Sequence, residues 1–272
     1  MREDRKRKIR IAAEKFRDRC QLRRYGIIDL FSECKKAGFK LIRYPLGDDS
    51  ILGFVKLQEE DIIIFTNSNV RLSREIFTLA HEIGHAMLHI KKGASFVDTN
   101  GTIQDWDKEG MESEANYFAA CLLMPADEVN KFIDLELSAD AAHNLTAVDI
   151  AKVMSEFNVS YDMALNRLNH LGKIDLTEKT ALDLEKTEKR VGNLLRSTGG
   201  NSRLNIAGVE IDIPFEYMDY VIFNYNHKAI PRETLERVLS YYRLTMEDIG
   251  DQLADIPEEQ EDLDLLIGEL SD

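Results

Sequence analysis

The sequence predicts an α+β protein, mainly helical, with a small, mostly antiparallel three-stranded sheet, a helix-turn-helix-like helical unit after it and a small C-terminal module. Three observations predict this. Residues 39–44, 51–57 and 61–66 are short runs rich in β-branched and aromatic residues, separated by the turn-forming stretches 45–49 and 58–60. Much of the remainder places its apolar residues at helical spacing between capping residues and stop glycines. The stretch 197–202, with Gly199-Gly200 at its centre, is the strongest linker signal in the chain.

Composition limits what the chain can be. Its 272 residues, 44% hydrophobic, suffice for one large domain with an appendage and a substantial core. Cys20, Cys34 and Cys121 are odd in number and far apart, which reads as free thiols in a reducing cytoplasm. No run of eighteen apolar residues exists, so no membrane span is expected. The basic first residues lead into no apolar segment, so no signal peptide is expected. A net charge of −14 argues against a general nucleic-acid binder. Residues 1–24 hold eleven Lys/Arg against four Asp/Glu, whereas 247–272 hold eleven acids and no base. The basic end could meet an acidic partner or the chain's own tail; two solvated ends is the plainer reading.

In chain order, residues 1–24 read as a basic N-terminal helix with a thin apolar stripe through Ile11, Ala12, Phe16 and Leu22. Residues 25–37 read as an amphipathic helix with Ile27, Ile28, Leu30 and Phe31 inward and Gly38 at the stop. After the three strands, Asn67-Ser68-Asn69 leads into a helix capped by Ser73, with Glu75 in its first turn, where a carboxylate favours the helix dipole. Residues 91–110, which include the single Trp, Trp106, read as a polar loop. Residues 111–123 are helical, and Pro125 restarts the helix, which runs through Leu137 and ends a core spanning 25–137. The extension 138–172 resembles a helix-turn-helix, with Ser160 capping its second helix. That helix offers Asn166, Arg167, Asn169 and His170 but little excess charge, so a packing unit is expected and direct nucleic-acid binding is not. Residues 173–203 form a helical connector (177–196) and the linker. The module 204–250 is expected to hold a strand pair at 206–211 and a helix whose Phe215, Tyr217, Tyr220, Phe223 and Tyr225 form a core stripe. Pro231 opens a further helix. Residues 251–272 form an acidic tail.

The chemistry lies in residues 74–89, which contain His81-Glu82-Ile83-Gly84-His85. Residues four apart share a helix face, so two imidazoles can point at one metal ion. Glu82 lies about 100° round from His81, within reach of a water on that metal. The bland alternative is two core histidines that happen to lie four apart. A catalytic zinc has three protein ligands and one water, so one ligand is missing. A third His six residues after His85 is excluded, because position 91 is Lys. The candidates are Glu112 and Glu114, at the start of the 111–123 helix. Glu112, Ala115, Asn116 and Ala119 share one face, and the alanines allow a close approach to the metal helix. Asn116 could orient a His ligand.

His81-Glu82-x-x-His85, followed by Glu112-x-x-Ala115-Asn116-x-Phe118-Ala119-x-x-Leu122-Leu123-Met124-Pro125, resembles the ImmA/IrrE family of zinc metallopeptidases, over roughly residues 20–172. The resemblance implies Zn²⁺ held by His81, His85 and Glu112, with the sheet packed on the zinc-binding helices and Glu82 as the general base of an endopeptidase. It implies a protein substrate, a helix-turn-helix transcriptional repressor of a mobile element or stress regulon, and a cytoplasmic setting. Tyr117, His89 and His143 are candidate oxyanion donors, His89 otherwise simply packing beyond His85. An extended substrate is expected to pair with an exposed sheet edge. The rival reading is a zinc-stabilised binding or regulatory module without catalysis.

Overall fold

A computed structural model describes residues 1–47, 51–90, 95–99, 110–137 and 144–254. Trp106, His143 and the tail beyond Ala254 lie outside the described residues. The chain divides into two compact units, Met1–Ile213 and Pro214–Asp272.

The first unit opens with helix α1 (Glu3–Arg17), which buries Ile9, Ala13 and Phe16. The expected stripe is displaced: Ile11 is 41% exposed. The i, i+4, i+7 spacing of Ile9, Ala13 and Phe16 is the better helical face. The expected helix over 25–37 shortens to α2 (Leu30–Lys36), because the Asp29 carboxylate accepts from the backbone N–H groups of Phe31 and Ser32 and so sets the start. Before it, Leu22 bridges to Ile27, and the N–H groups of Tyr25 and Gly26 donate to Glu156.

Strands β1 (Lys40–Tyr44), β2 (Ile51–Gln58), β3 (Asp61–Asn67) and β4 (Ser95–Thr99) form one sheet in the order β1-β3-β2-β4. The β2–β3 and β2–β4 pairings are antiparallel and β1–β3 is parallel. The fourth strand corrects the sequence reading, which placed a polar loop over 91–110. It is too short and polar to stand out alone, and forms because β2 offers it a partner, with a register shift between Ile51 and Gly53.

Helix α3 (Leu72–Leu88) lies against β2, β3 and α4 (Met111–Leu123). Ser73 does not cap α3. The residue before the helix is Arg71, which makes no side-chain cap, and the Leu72 N–H instead donates to the Ile206 carbonyl at 2.9 Å. That distant carbonyl satisfies one of the helix's orphan donors. Glu75, fully buried, accepts from both Arg43 nitrogens (2.8 and 2.9 Å) and from Thr66 Oγ1 (3.0 Å), tying α3 to β1 and β3. The Arg43 guanidinium also stacks on Phe31.

After α5 (Ala126–Glu136), a Thr146–Asp149 capping box starts α6 (Ala147–Phe157), and Asn158 turns the chain in a left-handed conformation. Ser160 caps α7 (Tyr161–His170) as predicted, accepting from the Met163 N–H. Arg167 is buried and donates to the Met124 carbonyl, which joins this helix pair to the core, while Asn166 and Asn169 are half-buried and His170 is exposed. The expected connector helix breaks at Arg190 into α8 (Leu176–Lys189) and α9 (Val191–Ser197), which bury Leu182, Leu194 and Leu195. The unit continues past Gly199-Gly200. Leu204 is fully buried, and residues 206–212 pass beside β1 and the start of α3, with Val209 at a positive φ of 47°. They bridge singly to Arg71 and Arg43 and do not pair with one another as expected.

The second unit contains α10 (Glu216–Asn226) and α11 (Arg232–Tyr241), around Met218, Ile222, Leu235, Leu239 and Ile249. The aromatic stripe is not its core: Phe215, Tyr220 and Phe223 are each more than half exposed, because Met218 and Ile222 take the inward face. Among the described residues, no helix is long and apolar enough to cross a membrane.

Candidate metal centre

The site sits where α3 and α4 cross. Gly84 makes the crossing close: a Cβ there would lie 3.1 Å from Phe118 Cδ1 and 3.2 Å from Ala115 Cα. Ala115 and Ala119 are fully buried on the facing side, the role their small size predicts. This approach brings the first turn of α4 over the second half of α3.

His81 and His85 are buried, with their Nε2 atoms 3.0 Å apart. Glu112 Oε2 lies 3.3 Å from His81 Nε2, and Glu112 Oε1 lies 3.4 Å from His85 Nε2. Donors about 2.0–2.1 Å from a tetrahedral zinc are separated by roughly 3.3 Å, so the two nitrogens and the carboxylate fit such an ion. These three residues form a group that can hold a metal. Among the described residues, the Glu112 side chain keeps 32% of its surface exposed, whereas His81 and His85 are fully buried.

Each imidazole is oriented through its other nitrogen. His81 Nδ1 lies 2.8 Å from Asn116 Oδ1, matching the orienting part expected of Asn116. An amide oxygen only accepts, so His81 carries its proton on Nδ1 and presents an Nε2 lone pair to the group. His85 Nδ1 lies 3.0 Å from His89 Nδ1. Glu114, the other candidate carboxylate, is directed elsewhere, pairing with Arg5 of α1 and with His89. Of the proposed oxyanion donors, Tyr117 accepts from Arg10 of α1, and His89 meets the side of His85 away from the ligand group.

Glu82 is fully buried one residue beyond His81. Its carboxylate lies against Gly53 of β2: a Cβ at Gly53 would stand 2.8 Å from Glu82 Oε1 and 2.6 Å from Thr78 Cγ2. The sequence reading missed Gly53, although a glycine inside a strand signals a close approach. It also missed Arg5, for which no local signal exists.

Residues 34–169 match the family described as Peptidase M78, IrrE N-terminal-like domain. A shorter stretch is 36% identical over 90 residues to an uncharacterized immunity region protein 2 of Bacillus phage phi105; the match covers 33% of this chain and 55% of that protein. The chain thus spans about half the length of that curated relative. Every residue of the site, from Gly53 to Asn116, falls inside the matched segment, and the chain belongs to the Peptidase M78 family.

Proposed function

We propose that the protein is a zinc-dependent endopeptidase that hydrolyses a peptide bond with Glu82 as general base. The observation that carries this is the convergence of His81 Nε2, His85 Nε2 and the Glu112 carboxylate beside a buried Glu82. His81, His85 and Glu112 would hold the ion. Zinc in such a site lowers the pKa of a water to about 7 and polarises a carbonyl. Glu82 takes the proton of the attacking water and returns it to the departing amide nitrogen. Asn116 fixes the tautomer of His81. Among the described residues three ligands converge, which suits catalysis better than the four-ligand arrangement of a structural site.

A helix-turn-helix transcriptional repressor is the proposed substrate. The support is the ImmA/IrrE resemblance and a relative named for a phage immunity region. An extended segment of it would lie along β4, since β1 at the other edge is already bridged to Asp212.

Glu82→Gln tests this reading. It should keep stoichiometric zinc and its fold, yet cleave a fluorogenic peptide or a helix-turn-helix repressor substrate about 10²–10⁴-fold more slowly. Near-normal cleavage by that variant, or chelator-insensitive cleavage by the wild type, would refute it.

A further inference from the structure

The Nδ1 side of His85 opens a hydrogen-bonded chain that leaves the site. His85 Nδ1 meets His89 Nδ1 at 3.0 Å, and His89 Nε2 meets Glu114 Oε2 at 2.9 Å. Glu114 in turn accepts from two nitrogens of Arg5, on α1, with Arg5 Nε 2.7 Å from Glu114 Oε1. The His89 side chain is almost wholly buried. Three elements contribute: α3 and the residue that ends it, the first turn of α4, and α1.

The protons in this chain can be placed. Arg5 only donates, and an ionised Glu114 only accepts. His89 therefore donates to Glu114 from Nε2, which leaves Nδ1 of a neutral His89 as an acceptor. An Nδ1–H on His85, 3.0 Å away, satisfies that acceptor, and this is the tautomer that frees His85 Nε2 for a cation. The arrangement matches what Asn116 does for His81, but an imidazole supplies the acceptor and a distant helix holds it.

We propose that His89 is the positioning residue for His85, locked in the accepting tautomer by Glu114 and Arg5, so that α1 completes the metal centre without touching it. The proposal rests on the zinc reading above. Partners of this kind raise ligand basicity and fix ring orientation, and losing one typically weakens metal binding by about 10–100-fold.

The test measures zinc affinity by competition with a chromogenic chelator and reads the His85 tautomer from long-range ¹H–¹⁵N spectra of the zinc-loaded protein. His89→Leu should weaken zinc by about 10–100-fold. His89→Asn, which can place an amide oxygen near the Nδ1 position, should recover most of that loss, which a purely packing role for His89 would not allow. Glu114→Gln offers an amide in place of a carboxylate and leaves a partly exposed surface intact, so it keeps the test open if His89→Leu does not fold. It should weaken zinc several-fold and shift the His85 and His89 ring nitrogens. Wild-type affinity in both His89→Leu and Glu114→Gln, or equal losses in His89→Leu and His89→Asn, would overturn the proposal. Failure of the zinc reading itself looks different: the wild type would bind no zinc, or His85→Ala would bind it stoichiometrically.

Discussion

Replacing Gly53 with alanine probes Glu82 directly, because the added methyl would enter the space beside its carboxylate. On the observed backbone the new Cβ meets Thr78 Cγ2 at 2.6 Å, Glu82 Oε1 at 2.8 Å and the Phe65 carbonyl oxygen at 3.0 Å. Phe65 lies in the middle of β3, paired with both β1 and β2, so its carbonyl cannot retreat without straining two ladders. The side chains of Thr78 and Glu82 must give way. Restoring an ordinary separation of about 3.5 Å requires Glu82 Oε1 to move by about 0.7 Å. Misplacing a reacting group by about 1 Å costs roughly 10²-fold, and a general base contributes about 10²–10⁴-fold. Overpacking of this kind costs about 1–3 kcal/mol, or a Tm lowered by roughly 2–12 °C in a protein of this size. His81, His85 and Glu112 are not among the atoms met, so metal content should not change. Gly53→Ala is therefore expected to hold stoichiometric zinc while cleaving a fluorogenic peptide about 100-fold more slowly. The measurements are peptide hydrolysis, elemental analysis and a thermal melt. Activity within threefold of wild type in the folded, zinc-loaded variant would show that Glu82 does not need this space.

Three further outcomes are expected. Burial pushes the Asp149 carboxyl up, but the Thr146 hydroxyl and N–H and Lys152 outweigh it and leave it below its ordinary value. The stability this contributes is full above about pH 4 and is lost as pH falls through the lowered folded value. Thr146→Ala should cost about 1 kcal/mol at neutral pH and flatten that loss in urea unfolding between pH 5 and 2; an unchanged acid limb would refute the assignment. Burial pushes the thiols of Cys34 and Cys20 up, to about 12 and about 11. Neither should react readily with Ellman's reagent at pH 8 until urea is added, and rapid labelling of native Cys34 would contradict this. A chain ending at Ile213 should fold and bind zinc. One ending at Ser197 should lose roughly 3 kcal/mol or more, from the buried Leu204 side chain and the Ile206 carbonyl that caps α3. Equal melting temperatures for the two truncations would show that residues 198–213 contribute nothing to the first unit.

The parts of the site legible in the sequence are those fixed by helix periodicity. His81, Glu82 and His85 follow from one spacing on one helix. The 111–123 helix offered two carboxylates, Glu112 and Glu114, and the family resemblance, not the spacing, selected Glu112; Asn116 follows from its place one turn beyond it. The Ser160 cap was legible from helix periodicity too: the hydroxyl and the N–H it accepts from are three residues apart. Buried hydrophobic residues at i, i+4 and i+7 also placed most helices, and the exceptions are instructive. In α1 two apolar faces compete, and only the one against α4 is buried. In α10, Met218 and Ile222 displace the larger aromatics from the inward face.

What the sequence hid is carried by contacts between residues far apart in the chain. Glu75 reads locally as a helix-dipole partner, but its carboxylate meets Arg43, thirty-two positions earlier. The cap of α3 is a backbone carbonyl from residue 206, and a carbonyl has no sequence signature at all. Glu112 and Glu114 were equal candidates by composition and by proximity in the chain. They differ because positions two apart on a helix point about 160° away from each other, one toward α3 and the other toward α1. The selection between them is thus made in part by Arg5, 109 positions before Glu114. Arg5 and His89 both engage the Glu114 carboxylate, and on the proposed zinc reading this would keep it from competing with Glu112 for the ligand position. The basic N-terminal helix, which composition alone marked as a solvated end, thus packs on α4 and pairs with Glu114, and on the proposed reading it takes part in defining which acid faces the metal.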